Sequence, residues 1–151
     1  MINILLVTHG EFGKELLKSS EMIIGEVENA KSISFNHGDS FETLLKKVEE
    51  NIKNISDDEL IVFTDMYGGS PYNAVNRAMK NRNFYHITGI NFPLFIDIAV
   101  ARDTYSLEEI AEKIIYHIRR FYPYISIENF SNEEILGLML NDKKNDHGKI
   151  N

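Results

Sequence analysis

The chain has 151 residues, 43% of them hydrophobic and 26% charged, with a formal net charge of −7, which predicts one globular domain large enough to bury its own core. The absence of cysteine excludes disulfide frameworks, thiol nucleophiles and zinc–thiolate centres, and the acidic balance argues against nucleic acid or an anionic membrane surface as main partner. No apolar run reaches the roughly 18–20 residues of a membrane span, and the start Met1-Ile2-Asn3-Ile4 has no basic n-region, so a cytoplasmic protein without a leader is expected.

Residues 2–7 (INILLV) form an apolar run of strand length, as suits a strand covered on both faces in a parallel sheet, and Thr8-His9-Gly10 reads as the turn after it. Glu11 to Ile24 reads as a helix, with Phe12, Leu16 and Ile23 in one stripe, Leu17 and Ile24 beside it, and Gly25 at the C-terminal cap. Residues 31–35 (KSISF) predict a second strand, followed by the turn Asn36-His37-Gly38. Asp39 with Glu42 resembles a capping box, and Phe41, Leu44, Leu45, Val48, Ile52 and Ile55 carry the spacing of an amphipathic helix.

The third strand, 60–64 (LIVFT), leads into a glycine-bearing loop, Asp65 to Ser70 (DMYGGS), and then a helix from Pro71 to about Arg82. Residues 84–90 (FYHITGI) predict strand four, a short apolar helix runs from about Leu94 to Ala101, and Ser106-Leu107-Glu108-Glu109 is a capping box opening another helix. Residues 124–130 (YISIENF) predict a fifth strand, Ser131 to Glu134 repeats the capping pattern before a short helix from Ile135 to Leu140, and the tail from Asn141 is polar. Alternating strands and helices predict an α/β fold, an open, doubly wound, mostly parallel sheet with helices on both faces. In a 2-1-3-4 order the loops after strands one and three are neighbours at the switch point, where such sheets gather function, so His9 and Asp65 would converge.

An imidazole at that place can be a base, a metal ligand or a nucleophile, and equally can merely cap a turn. Asp65 reads as a turn or capping residue, or as a carboxylate that accepts one ring N–H and leaves the other ring nitrogen with its lone pair. In Gly68-Gly69-Ser70-Pro71, Ser70 fits an N-cap and Pro71 the first helical position. The amides of such a helix start bind anions, phosphate above all, and glycines let the backbone come close. With His9 nearby, the combination points to phosphate carried on imidazole.

Other chemistries fit less well. His9, Asp65 and Ser70 are the residue types of a hydrolase triad, but Gly-Gly-Ser-Pro is not the nucleophile elbow. A phospho-aspartate at Asp65 would want acidic residues after strand one, where Thr8-His9 stands instead. His37, His86, His117 and His147 are scattered without ligand spacing and read as surface or turn histidines, so no metal is expected. Neither nucleotide-binding glycine motif is present.

The segments THGEFGKELLKSSEMIIGEVENAKSISF, Gly38-Asp39-Ser40, FTDMYGGSPYNAVNRA and TGINFPLFIDIAVAR resemble the enzyme IIA component of the mannose family of the bacterial sugar phosphotransferase system, over about residues 1–130. The resemblance implies that His9 is phosphorylated, that Asp65 hydrogen-bonds it, and that Ser70 with nearby backbone, in the stretch Gly68-Gly69 and at Thr8, holds the phosphoryl group. It places Gly89 to Pro93 near the same site. It implies HPr as donor, an enzyme IIB as acceptor, indirect contact with the IIC and IID permease components, no cofactor and no nucleic acid. It also implies a homodimer whose last strand, Tyr124 to Phe130, is exchanged and pairs antiparallel at the partner's sheet edge. Residues 131–151 match nothing in that family, and a free-standing IIA protein is expected. The alternative is a regulatory module of the same fold, like the dihydroxyacetone-kinase phosphocarrier. The sugar is not written in these residues.

Overall fold

The computed structural model describes residues 1–112 and the backbone of 126–128. In chain order the elements are β1 (Asn3–His9), α1 (Phe12–Ile24), β2 (Ala30–Phe35), α2 (Phe41–Ile52), β3 (Leu60–Thr64), α3 (Ser70–Ala78), β4 (Tyr85–Thr88), α4 (Phe92–Ala101) and β5 (Ser126–Glu128), with residues 107–112 again helical. The sheet runs β2-β1-β3-β4-β5, the first four strands parallel and β5 antiparallel beside β4. Among the described residues no helix is long and apolar enough to cross a membrane.

The period of two in the strands divides the core. Ile4, Leu6, Ile61, Phe63 and Ile87 face α1 and α4 with Leu16, Leu94, Phe95 and Ile98. On the other face Leu5, Val7, Ile33, Val62 and Phe84 meet Leu44, Val48 and Ile52 of α2 and Ala74 and Val75 of α3. β1 and β3, covered on both faces, are the apolar runs visible in the sequence.

Several local expectations are corrected. β1 continues through His9, which pairs with Phe35, so the turn begins only at Gly10. In α1 the buried residues are Gly13, Leu16 and Ser20, whereas Phe12 and Ile23 are exposed. The reason is closeness: a Cβ on Gly13 would lie 2.8 Å from Ser32 Oγ and 3.1 Å from Leu6 Cβ, so α1 lies too near the sheet for a large side chain there. Asp39 does not cap α2; its carboxylate accepts the Asn36 N–H, and Ser40 caps by accepting the Thr43 N–H. At the next helix Ser106 and Glu109 form the reciprocal box, each side chain accepting the other's main-chain N–H. The expected features beyond 128, including the helix from Ile135, lie outside the described residues.

The end of α4 is tied back to the start of the chain. The buried Arg102 guanidinium donates to the Ile2 carbonyl at 3.0 Å and to the Glu28 carbonyl. Burial lowers its pKa from the ordinary arginine value.

Candidate functional site

β1 and β3 are adjacent and parallel, so His9 and Asp65 emerge side by side at their carboxyl ends. The Asp65 Oδ2 accepts two hydrogen bonds from one residue, the His9 main-chain N–H at 2.8 Å and the ring Nδ1–H at 2.8 Å. Its Oδ1 accepts the Met66 N–H at 2.9 Å. A carboxylate only accepts, so Nδ1 carries a proton, and in the neutral ring the lone pair lies on Nε2. The two side chains differ in shelter, 17% exposed for Asp65 against 42% for His9, which leaves the ring open to a partner while its support is covered.

Nε2 faces the loop backbone. A Cβ on Gly69 would stand 3.4 Å from His9 Nε2 and 2.8 Å from Cε1, so the ring lies directly on the bare Cα. Gly68 turns the chain with φ +76°, and Asn73 holds the loop by donating from Nδ2 to the Gly68 carbonyl at 3.0 Å and from its main chain to Gly69 at 2.9 Å. Gly69 is the N-cap, Ser70 the first helical residue and Pro71 the next, so the helix starts one residue earlier than the reading of Ser70 as cap. Among the described residues no side chain caps this helix start, which presents an amide end with partial positive charge beside Nε2. On the far side an open groove of about 360 Å³ runs from His9 along Phe35 and the turn with His37 and Asp39.

Of the expected site residues, the structure brings His9, Asp65, Gly68, Gly69 and Ser70 together. It does not bring Thr8: that side chain is fully buried on the α1 face, its Oγ1 accepting the Gly13 N–H at 2.8 Å. The period of two explains this, because Thr8 shares a face with Leu6 and His9 with Val7. The segment from Gly89 is tied to the site through Thr64, whose carbonyl accepts the Gly89 and Ile90 N–H groups. Among the described residues no three metal-ligating side chains cluster.

Sequence reasoning missed His86. Far from being a surface or turn residue, it is fully buried in β4 behind the loop. Its Nδ1–H donates to Asn76 Oδ1 at 3.1 Å, which leaves Nε2 to accept the Thr64 hydroxyl at 2.8 Å. The signal was available, since His86 alternates with Phe84 in a strand covered on that face. Burial pushes its pKa down to about 3. The unfolded chain takes up a proton near pH 6.5 and the native state does not, so stability falls as pH drops below about 6.5, by up to about 2 kcal/mol at pH 5. Urea midpoints at pH 7 and pH 5 should show that loss in the natural chain and a smaller one in His86→Gln; equal losses would contradict the assignment.

The family model EIIA-man, described as the PTS system fructose IIA component, matches residues 3–115. The chain is 36% identical over 104 residues to the mannose-specific EIIAB component of Escherichia coli K12, 68% of this chain and 32% of that relative, so it spans about a third of the relative's length. It is 28% identical over 116 residues to the fructose-specific EIIA component of Bacillus subtilis 168, 76% of this chain and 80% of the relative. Among solved structures, the phosphotransferase system component EIIA from Streptococcus agalactiae superposes with a TM-score of 0.69 at 25% identity, covering 77% of this chain and 91% of that one.

Proposed function

Since the chain belongs to the mannose-type enzyme IIA family of the sugar phosphotransferase system, we propose that His9 accepts a phosphoryl group from phosphorylated HPr and passes it to an enzyme IIB. The observation that carries this reading is the His9–Asp65 pair with Nε2 lying against Gly69 at the start of α3.

The Nε2 lone pair attacks phosphorus while the donor's bond to phosphorus breaks and its electron pair stays with the donor. Asp65 holds the ring in the reactive tautomer and balances the positive charge that the imidazole acquires. The amide end of α3 and the Ser70 hydroxyl meet the phosphoryl oxygens, whose charge spreads in the transition state. The reverse step hands the group to IIB. In the same reading the protein is a cytoplasmic homodimer, reaching the IIC and IID permease components only through IIB.

The test is incubation with phosphorylated HPr, then mass spectrometry under conditions that preserve phosphohistidine. One phosphate on His9 is expected, none in His9→Gln, and for Ser70→Ala a rate lower by about tenfold, one neutral donor being worth about 1–1.5 kcal/mol. Phosphate on Asp65, Ser70 or another histidine, with His9→Gln still competent, would falsify the assignment.

A further inference from the structure

We infer that His86 is a positioning residue for phosphoryl transfer, holding the start of α3 at a fixed place relative to the His9–Asp65 pair; this rests on the proposed role of His9.

The loop 65–69 carries both halves of the site, the carboxylate at its beginning and the Gly69–Ser70 amides at its end. His86 grips it from both ends. At the beginning, Nε2 accepts the hydroxyl of Thr64, the residue directly before Asp65. At the end, Nδ1–H reaches Asn76, inside α3. The ring also lies against Tyr72 in the first turn of α3, centroids 5.2 Å apart, and Tyr72 in turn meets Tyr67 of the loop at 4.6 Å. β4 thus supplies one side chain that joins the C-terminal end of β3 to α3 across the base of the loop.

This connection has a direct use. The distance between Nε2 of His9 and the α3 amides is set by how far α3 sits from the end of β3, and the loop cannot set it alone, because Gly68 and Gly69 offer little stiffness. Transfer rates respond steeply to displacements of about 1 Å. An apolar residue would fill the space of His86 but could not fix α3 along its axis, because packing is far less directional than a pair of hydrogen bonds.

Three variants separate this from a general packing role. His86→Phe removes both bonds and keeps a ring; Asn76→Ala cuts only the α3 end and sits on a less buried helix face; His86→Gln can still reach Thr64. The natural protein is first phosphorylated with phosphorylated HPr, and if His9 takes no phosphate the failure belongs to the proposed function. If it does, His86→Phe and Asn76→Ala should each lower kcat by about tenfold with KM for phosphorylated HPr within about twofold, and His86→Gln should recover part of the rate. The ³¹P resonance of phospho-His9 should move in the two slow variants, because the amides no longer meet the phosphoryl oxygens in the same way. The double variant should be no slower than His86→Phe alone, since the two act through one bond. A lowered melting temperature with kcat and the ³¹P resonance unchanged overturns the inference, as does a rate loss that appears wholly in KM.

Discussion

Gly69→Ala should lower the rate at which phosphorylated HPr charges the protein by about a hundredfold, at a stability cost of about 1 kcal/mol, that of one hydrogen bond. The new Cβ would lie 2.8 Å from His9 Cε1, nearer than real Cβ contacts come. The ring cannot simply step aside, because Asp65 holds it through Nδ1. Either that bond breaks or the loop retreats, and both carry Nε2 away from the α3 amides. Backbone strain is not involved, since Gly69 has φ −73° and ψ 170°, which any residue adopts. Gly68→Ala is the contrasting case: φ is +76° and nothing lies within 4 Å of its Cβ position, so it should cost about 1 kcal/mol of stability and little transfer. Thermal unfolding and the charging rate, measured on both variants, separate them: similar stability losses, with the rate loss in Gly69→Ala alone; a natural charging rate in Gly69→Ala would end the explanation.

The second large effect belongs to Asp65. Replacement by alanine removes the acceptor of three hydrogen bonds and the charge opposite the ring. Charging should slow by about 10²–10³-fold, as when a preorganised electrostatic partner is removed from a transition state. Stability should fall by about 1–3 kcal/mol, because the His9 and Met66 amides lose their acceptor. Asp65→Asn should lie between the two, its amide oxygen still able to accept from His9. Nitrogen NMR of the His9 ring gives an independent reading: Nδ1 protonated in the natural protein, a mixture of tautomers in Asp65→Ala. A single unchanged tautomer in Asp65→Ala would refute the role of the carboxylate.

The sheet order and the meeting of His9 with Asp65 were legible because uninterrupted apolar strands and the loops that end them are local patterns. So was the α3 start, where glycines and proline carry fixed backbone meanings. The inward turn of the Thr8 side chain follows from the alternation of strand faces, which a motif read as a block does not show. The α1 stripe held in part: Leu16 is buried and Leu17 and Ile24 pack against the core, but Phe12 and Ile23 are exposed, because hydrophobicity marks residues able to be buried, whereas at Gly13 burial is decided by how closely the helix approaches the sheet. The burial of His86 was legible in its alternation with Phe84, but its role was not, because that depends on Thr64 and Asn76, which come from two other elements.

The Arg102 strap has a consequence for the order in which this protein assembles. Its bond to the Ile2 carbonyl spans 100 residues. Closing so long a loop in an otherwise open chain costs about 4 kcal/mol in entropy, of the same size as what two charge-assisted hydrogen bonds return. The strap therefore cannot nucleate folding and becomes favourable only after strand pairing has brought the two ends together. During synthesis the guanidinium leaves the ribosome after β1 to β4 and α4 have all been made, so it acts as a latch on the four parallel strands, closed before β5 joins the sheet edge.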